Sequence, residues 1–208
     1  MAIRSLDRGL LLAGIAAPIA LGIASLVAGS LQGNYSHLDQ FISELGASGA
    51  PYRAVMNYAG IVPAGVLTVL FSIGMYRRLT GHFAFNLSSL FVTVIGIGRL
   101  AAGLFSCDPG CSVVGMSIAA QLHAGFGLLS FCCGAFAPLV LAFGLRVRGR
   151  GRLFWLSLGV GLLSVVLLVV LLRRGPGMSY VGAVQRLLLV LTYGWVVTVA
   201  IELGILKR

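Results

Sequence analysis

The sequence predicts an all-α integral membrane protein, a bundle of six membrane-crossing helices with a short amphipathic helix in its first outer loop. Three observations carry that expectation. Of 208 residues, 59% are hydrophobic and 10% are charged, where an ordinary soluble domain has about 25% charged. The mean hydropathy is +1.02, which makes a soluble core implausible. Six apolar runs approach the roughly 20 residues that cross a bilayer as helix. The runs are continuous rather than alternating, which favours helices over barrel strands.

The first run lies near 9–31, after Arg4 and Arg8. It is longer than the roughly 7–15 residues of a signal-peptide core, so a retained span is expected. The others lie near 54–76, 83–105, 120–145, 153–172 and 183–205. The fourth is long enough to tilt or to extend past the hydrocarbon. Little chain remains outside the spans, so 1–208 reads as a single transmembrane domain.

The net charge of +10 sits in short clusters at span ends, a topology signal rather than a nucleic-acid surface. Arg4, Arg8, Arg77, Arg78, Arg146, Arg148, Arg150, Arg152, Lys207 and Arg208 fall on one side, against Arg53, Arg173, Arg174 and Arg186 on the other. The positive-inside rule makes the richer side cytoplasmic, with both termini inside. Fourteen of the fifteen basic residues are Arg, in keeping with a GC-rich bacterial source and a bacterial plasma membrane. The 29 glycines point to close helix packing through small residues. Pro18, Pro63 and Pro138 lie inside spans, where they kink a helix or free a carbonyl.

In the first outer loop, Leu38, Phe41, Ile42 and Leu45 fall at i, i+3, i+4 and i+7, one apolar helical face. Ser36-x-x-Asp39 resembles a capping box, and Gly46 suits a left-handed C′ position. His37, Asp39, Gln40, Ser43 and Glu44 take the other side. The expected element is an interfacial helix that acts as a lid.

Arg99 lies six residues before Phe105, about 9 Å into the membrane at 1.5 Å per residue. Such a charge costs at least about 2.5 kcal/mol and normally has a partner. Gly96, Arg99 and Gly103 share a face. His123, Gly127, Ser130 and Gly134 make a second, and Asn57, Gly60, Ala64 and Thr68 a third. Gln185 and Arg186 open the sixth span, with Tyr193 seven residues below Arg186.

These residues predict a polar pocket between the outer ends of spans two, three, four and six, capped by the loop. Its ligand-binding set is Asp39, Ser43, Glu44, Asn57, Arg99, Asp108, His123, Gln185 and Arg186. Its central pair is expected to be Arg99 with Glu44 or Asp39. An ion-pair network that only locks the helices is the bland alternative.

Cys107 and Cys111 flank a Pro-Gly turn and are expected to form a disulfide on an oxidising outer face. Cys132 and Cys133 sit mid-span and read as packing residues. His82 reads as an interfacial residue. Glu202 is expected to snorkel or to pair with Lys207 or Arg208. Asn34-Tyr-Ser36 fits the glycosylation sequon, which a bacterial source would void.

Three histidines split across two faces argue against a b-type cytochrome, and no nucleotide-binding loop appears. A hydrolase would draw on Ser43, Glu44 and His123 as catalytic candidates, or on zinc held by His37, His123 and a carboxylate. Otherwise no cofactor is expected. Arg99 and Arg186 could instead hold the anionic headgroup of a lipid or small amphiphile. Membrane lipids are therefore the expected partners and nucleic acid is not; a homo-oligomer or a larger membrane complex would suit a structural subunit.

Asp39-Gln-Phe-Ile-Ser-Glu-Leu-Gly46 followed by Pro51, then Gly103-Leu-Phe-Ser-Cys-Asp108, Leu122-His123 and Gln185-Arg186 resemble a bacterial and archaeal membrane family, number 998 among domains of unknown function. The resemblance covers nearly the whole chain and implies a six-helix or similar bundle without a settled activity. Ile42-Ser-Glu-Leu-Gly46 also resembles the Ile-Ser-acid-x-Gly pattern of the Frag1/DRAM/Sfk1 group, linked to lipid anchors and phospholipid distribution, which implies lipid handling. A further analogy is to seven-helix intramembrane hydrolases using His, Asp and Ser, from which this chain departs by one helix and one outer histidine.

Overall fold

A computed structural model describes residues 5–149, 151–174 and 178–204. Six helices in it are long and apolar enough to cross a membrane: α1 (Ser5–Leu31), α2 (Val62–Arg78, entered through a π-helical turn, Val55–Ile61), α3 (Phe83–Leu104), α4 (Ile118–Val147), α5 (Arg152–Arg174) and α6 (Val181–Gly204). Their bounds lie within a few residues of the predicted spans, because runs of Leu, Val, Ala and Gly satisfy their own backbone only as helix in lipid. The π-helical turn precedes Pro63, which lacks the N–H that an α-helix needs there. Val62 N bonds back to Asn57 O instead, five residues away.

The described ends of α1 and α6 meet at one end of the bundle, where a Cβ on Gly204 would sit 3.0 Å from Leu11. The loop joining α1 to α2 lies at the other, here called the loop end. Small residues set the spacing. A Cβ at Gly65 of α2 would stand 2.6 Å from Leu100 N and 2.8 Å from Gly96 O, so backbone meets backbone between α2 and α3. Gly98 faces α4 in the same way, 2.7 Å from Phe126 O. The core between the helices is filled by Phe71, Phe85, Met56, Met75 and Trp195, all buried.

The short helix expected in the first loop is present but covers only part of the apolar pattern from Leu38 to Leu45. Only Ile42–Gly46 is helical, as a single 3₁₀ turn. Upstream, polar side chains take the groups a helix would use. Ser36 N donates to Gln40 Oε1 at 2.8 Å, Asp39 N to Ser36 Oγ at 3.2 Å, and Tyr35 Oη to Phe41 O at 2.9 Å. Gly46 is not left-handed. It is glycine because a Cβ there would collide with Asn57 Oδ1.

Candidate functional site

A cavity of about 320 Å³ lies at the loop end, lined chiefly by α3, α4, α5 and α6. That volume is in the range of small-ligand sites, about 300–1,000 Å³. Its walls are mostly apolar: Phe131 of α4, Leu168 and Leu171 of α5, and Leu189 of α6. Ile42 and Ser43 of the loop turn, with Cys107 and Cys111, line it where the loops meet. Leu128 of α4 and Leu172 of α5 also line it, and they are 45% and 58% exposed. The cavity lining thus reaches the exposed surface of the bundle at α4 and α5.

Four residues of the sequence-predicted set line this cavity: Ser43, Arg99, His123 and Gln185. Arg99 is 8% exposed, and its guanidinium carbon stands 4.5 Å over the Tyr193 ring. That cation–π contact answers the charge only in part. Arg99 Nη1 is buried and has no hydrogen-bond partner among the described residues, and Tyr193 Oη shares that condition. A buried donor left unmade costs about 1–3 kcal/mol, and more when charged. His123 Nδ1 is 2.8 Å from Ala102 O and 2.9 Å from Phe105 O. Two carbonyls can only accept, so Nδ1 carries a proton and donates to them. Gln185 Oε1 accepts from Ile42 N at 2.8 Å and so hangs the loop turn from α6.

The expected pairing of Arg99 with Glu44 or Asp39 is not formed. Glu44 Oε1 accepts from Phe41 N and Oε2 from Gln40 Nε2, both at 2.8 Å. Asp39 Oδ1 accepts from Tyr180 N at 2.9 Å and Oδ2 from Ser36 Oγ at 2.8 Å. Donors within a few residues, or on an adjoining loop, meet each carboxylate without carrying it into the bilayer. The Tyr180 amide and the Ser36 hydroxyl hold the Asp39 carboxyl below the usual carboxylate range. Asp108 is likewise lowered by the Ser117 amide and hydroxyl, each at 2.8 Å, as it organises the start of α4.

Asn57 and Arg186 also lie outside the cavity lining. Asn57 Nδ2 donates to Gly46 O and Ser106 Oγ, each at 3.0 Å, a buried latch between the two loops. Arg186 donates to Gln40 O at 2.9 Å, to Tyr35 Oη, and to His37 Nδ1 at 3.1 Å. Burial first, and then that guanidinium, push the His37 pKa down. His37 thus faces a cation, which disfavours it as a metal ligand, and the metal-capable group among the described residues joins His123 to Cys107 and Cys111 instead. Those two cysteines are bonded to each other, at 2.07 Å. Ser43 Oγ is 3.4 Å from Cys111 Sγ. Glu44, the third catalytic candidate, is tied into its own turn.

Sequence reasoning missed the α5 wall, because Leu168, Leu171 and Leu172 carry no polar landmark to separate them from lipid-facing leucines. It also missed Ser106, on which Asn57 and Arg53 converge. At the far end it missed Asp7, whose Oδ1 lies 2.7 Å from Arg77 Nε. Asp7 is the one acid before Asp39, and that was the available signal. Glu202's expected partners, Lys207 and Arg208, lie outside the described residues.

The loop motif, the Cys107-Asp108 segment, His123 and Gln185-Arg186 stand in this bundle in the order that marked the family resemblance. A family model described as "Protein of unknown function (DUF998)" matches residues 15–202. The chain belongs to that family. Every residue lining the cavity, from Leu21 to Leu189, is inside the DUF998 match, whereas Asp7 is outside it. No curated protein and no solved structure matches the chain.

Proposed function

We propose that this protein binds an anionic lipid or small amphiphile in the loop-end cavity, with the headgroup on Arg99 and the hydrocarbon between α4 and α5. The observation that carries this reading is Arg99, a buried cation that lines a mostly apolar cavity and whose Nη1 has no hydrogen-bond partner among the described residues. A carboxylate or phosphate oxygen would supply the missing acceptor, and guanidinium suits both groups. The exposed lining at Leu128 and Leu172 lets a chain enter from the bilayer without leaving hydrocarbon. The charge bias supports an outer-leaflet position, and the Arg-rich composition supports a bacterial plasma membrane as its setting.

The test is the lipid carried by full-length protein purified in mild detergent. Wild type is expected to retain anionic phospholipid or fatty acid at a fixed ratio to protein, and Arg99→Leu to lose it while remaining helical and monodisperse. Equal retention by both proteins, or none by wild type, would refute the reading.

A further inference from the structure

We infer that Cys107, Cys111 and His123 form a zinc site when the disulfide between the two cysteines is opened. The three residues offer donor atoms that all lie within 4.8 Å of one another. His123 is already prepared. Its Nδ1 is committed to the carbonyls of Ala102 and Phe105, which leaves Nε2 as the ligating atom and supplies the outer-shell hydrogen bonds that zinc-bound histidines use. Thiolate and imidazole are the donor types zinc prefers, and two cysteines with one histidine leave a fourth, open position.

Hydrogen bonds as well as the S–S bond hold the loop that presents the sulfurs. Cys111 N donates to Asp108 O at 2.8 Å, closing the turn, and Ser48 N donates to Cys107 O at 2.8 Å. The Asp108 carboxylate anchors the same loop to Ser117. These bonds keep both thiols beside His123 after reduction. All three residues line the loop-end cavity, so the open coordination position adjoins it.

The chemistry balances with a dithiol reductant. Its two thiols are oxidised to a disulfide, two electrons break the Cys107–Cys111 bond, and two protons pass to the freed sulfurs. Zn²⁺ then displaces those two protons into solvent, giving a neutral Zn²⁺–dithiolate with the neutral imidazole as third ligand. The inference stands apart from lipid binding: it uses different atoms and a different oxidation state.

Full-length protein in detergent, reduced with a phosphine or left oxidised, would be equilibrated with Zn²⁺, freed of excess metal and assayed for zinc and free thiols. Reduced wild type is expected to hold about one zinc per chain, the number one three-ligand site accommodates, and the oxidised protein none. Cys111→Ser and His123→Asn should each weaken binding about tenfold or more. The asparagine keeps a donor for the Ala102 and Phe105 carbonyls, so a loss there is not a loss of fold. Equal zinc in reduced and oxidised protein, or undiminished binding by Cys111→Ser, would overturn the inference. Phospholipid measured on the oxidised sample reports on the Arg99 reading separately.

Discussion

Arg99 and Tyr193 stack on each other in the interior of the bundle, yet each leaves one polar atom unmatched. Replacing buried ionic groups by well-packed apolar side chains of similar volume is often neutral or stabilising. With bound lipid removed from both proteins, Arg99→Leu is therefore expected to be as stable as wild type or up to about 2 kcal/mol more stable in thermal unfolding, unlike an ordinary core substitution. A clear fall in melting temperature would show that the guanidinium is structural. His37 gives a second prediction at this scale. Its folded pKa lies below its ordinary value of 6.5, because burial and Arg186 both disfavour imidazolium. The unfolded chain then binds the proton first, so this contribution is complete above about pH 6.5 and is lost as pH falls towards the folded value. Melting temperature should drop between pH 7.5 and 5.5, and His37→Gln should flatten that drop. The lowered Asp39 and Asp108 carboxyls stay ionised in that window and act only at more acid pH.

Among the elements, glycine separates contacts that are full from contacts that are open. Gly46→Ala pushes a methyl into Asn57 and Gly65→Ala pushes one into the α3 backbone, so each is expected to cost about 1–3 kcal/mol in unfolding measurements. Gly127→Ala on α4 meets nothing within 4 Å and should be close to neutral, although Gly127 lines the cavity. Equal costs at all three would contradict the packing described. The spans were legible from sequence because lipid leaves one solution for an apolar run. The first loop was legible only in place. Its i, i+3, i+4, i+7 pattern promised a short amphipathic helix, but Ser36, Asp39 and Gln40 offer the backbone local bonds that compete with helix, and only Ile42–Gly46 completes a turn.

Across the whole molecule, opposite charges in sequence proved a poor guide to pairs in space. Arg99 and Glu44 look complementary as letters, but Glu44 reaches donors three and four residues away in its own loop. What could be read was that Arg99 is turned inward, where it is buried, because a charge inside an apolar span needs an explanation wherever its partner lies. The cavity's apolar wall could not be read, because the leucines of α5 that face it do not differ from those that face lipid. The central proposal for the whole molecule is that an amphiphile occupies this cavity against Arg99. A photoactivatable fatty acid or anionic phospholipid, crosslinked to the protein in membranes and mapped by peptide mass spectrometry, tests it most directly. Crosslinks are expected to concentrate around Leu128 of α4 and Leu168–Leu172 of α5, and to be lost in Arg99→Leu. Crosslinks spread evenly over the exposed faces of α1 through α6, unchanged by that substitution, would contradict it.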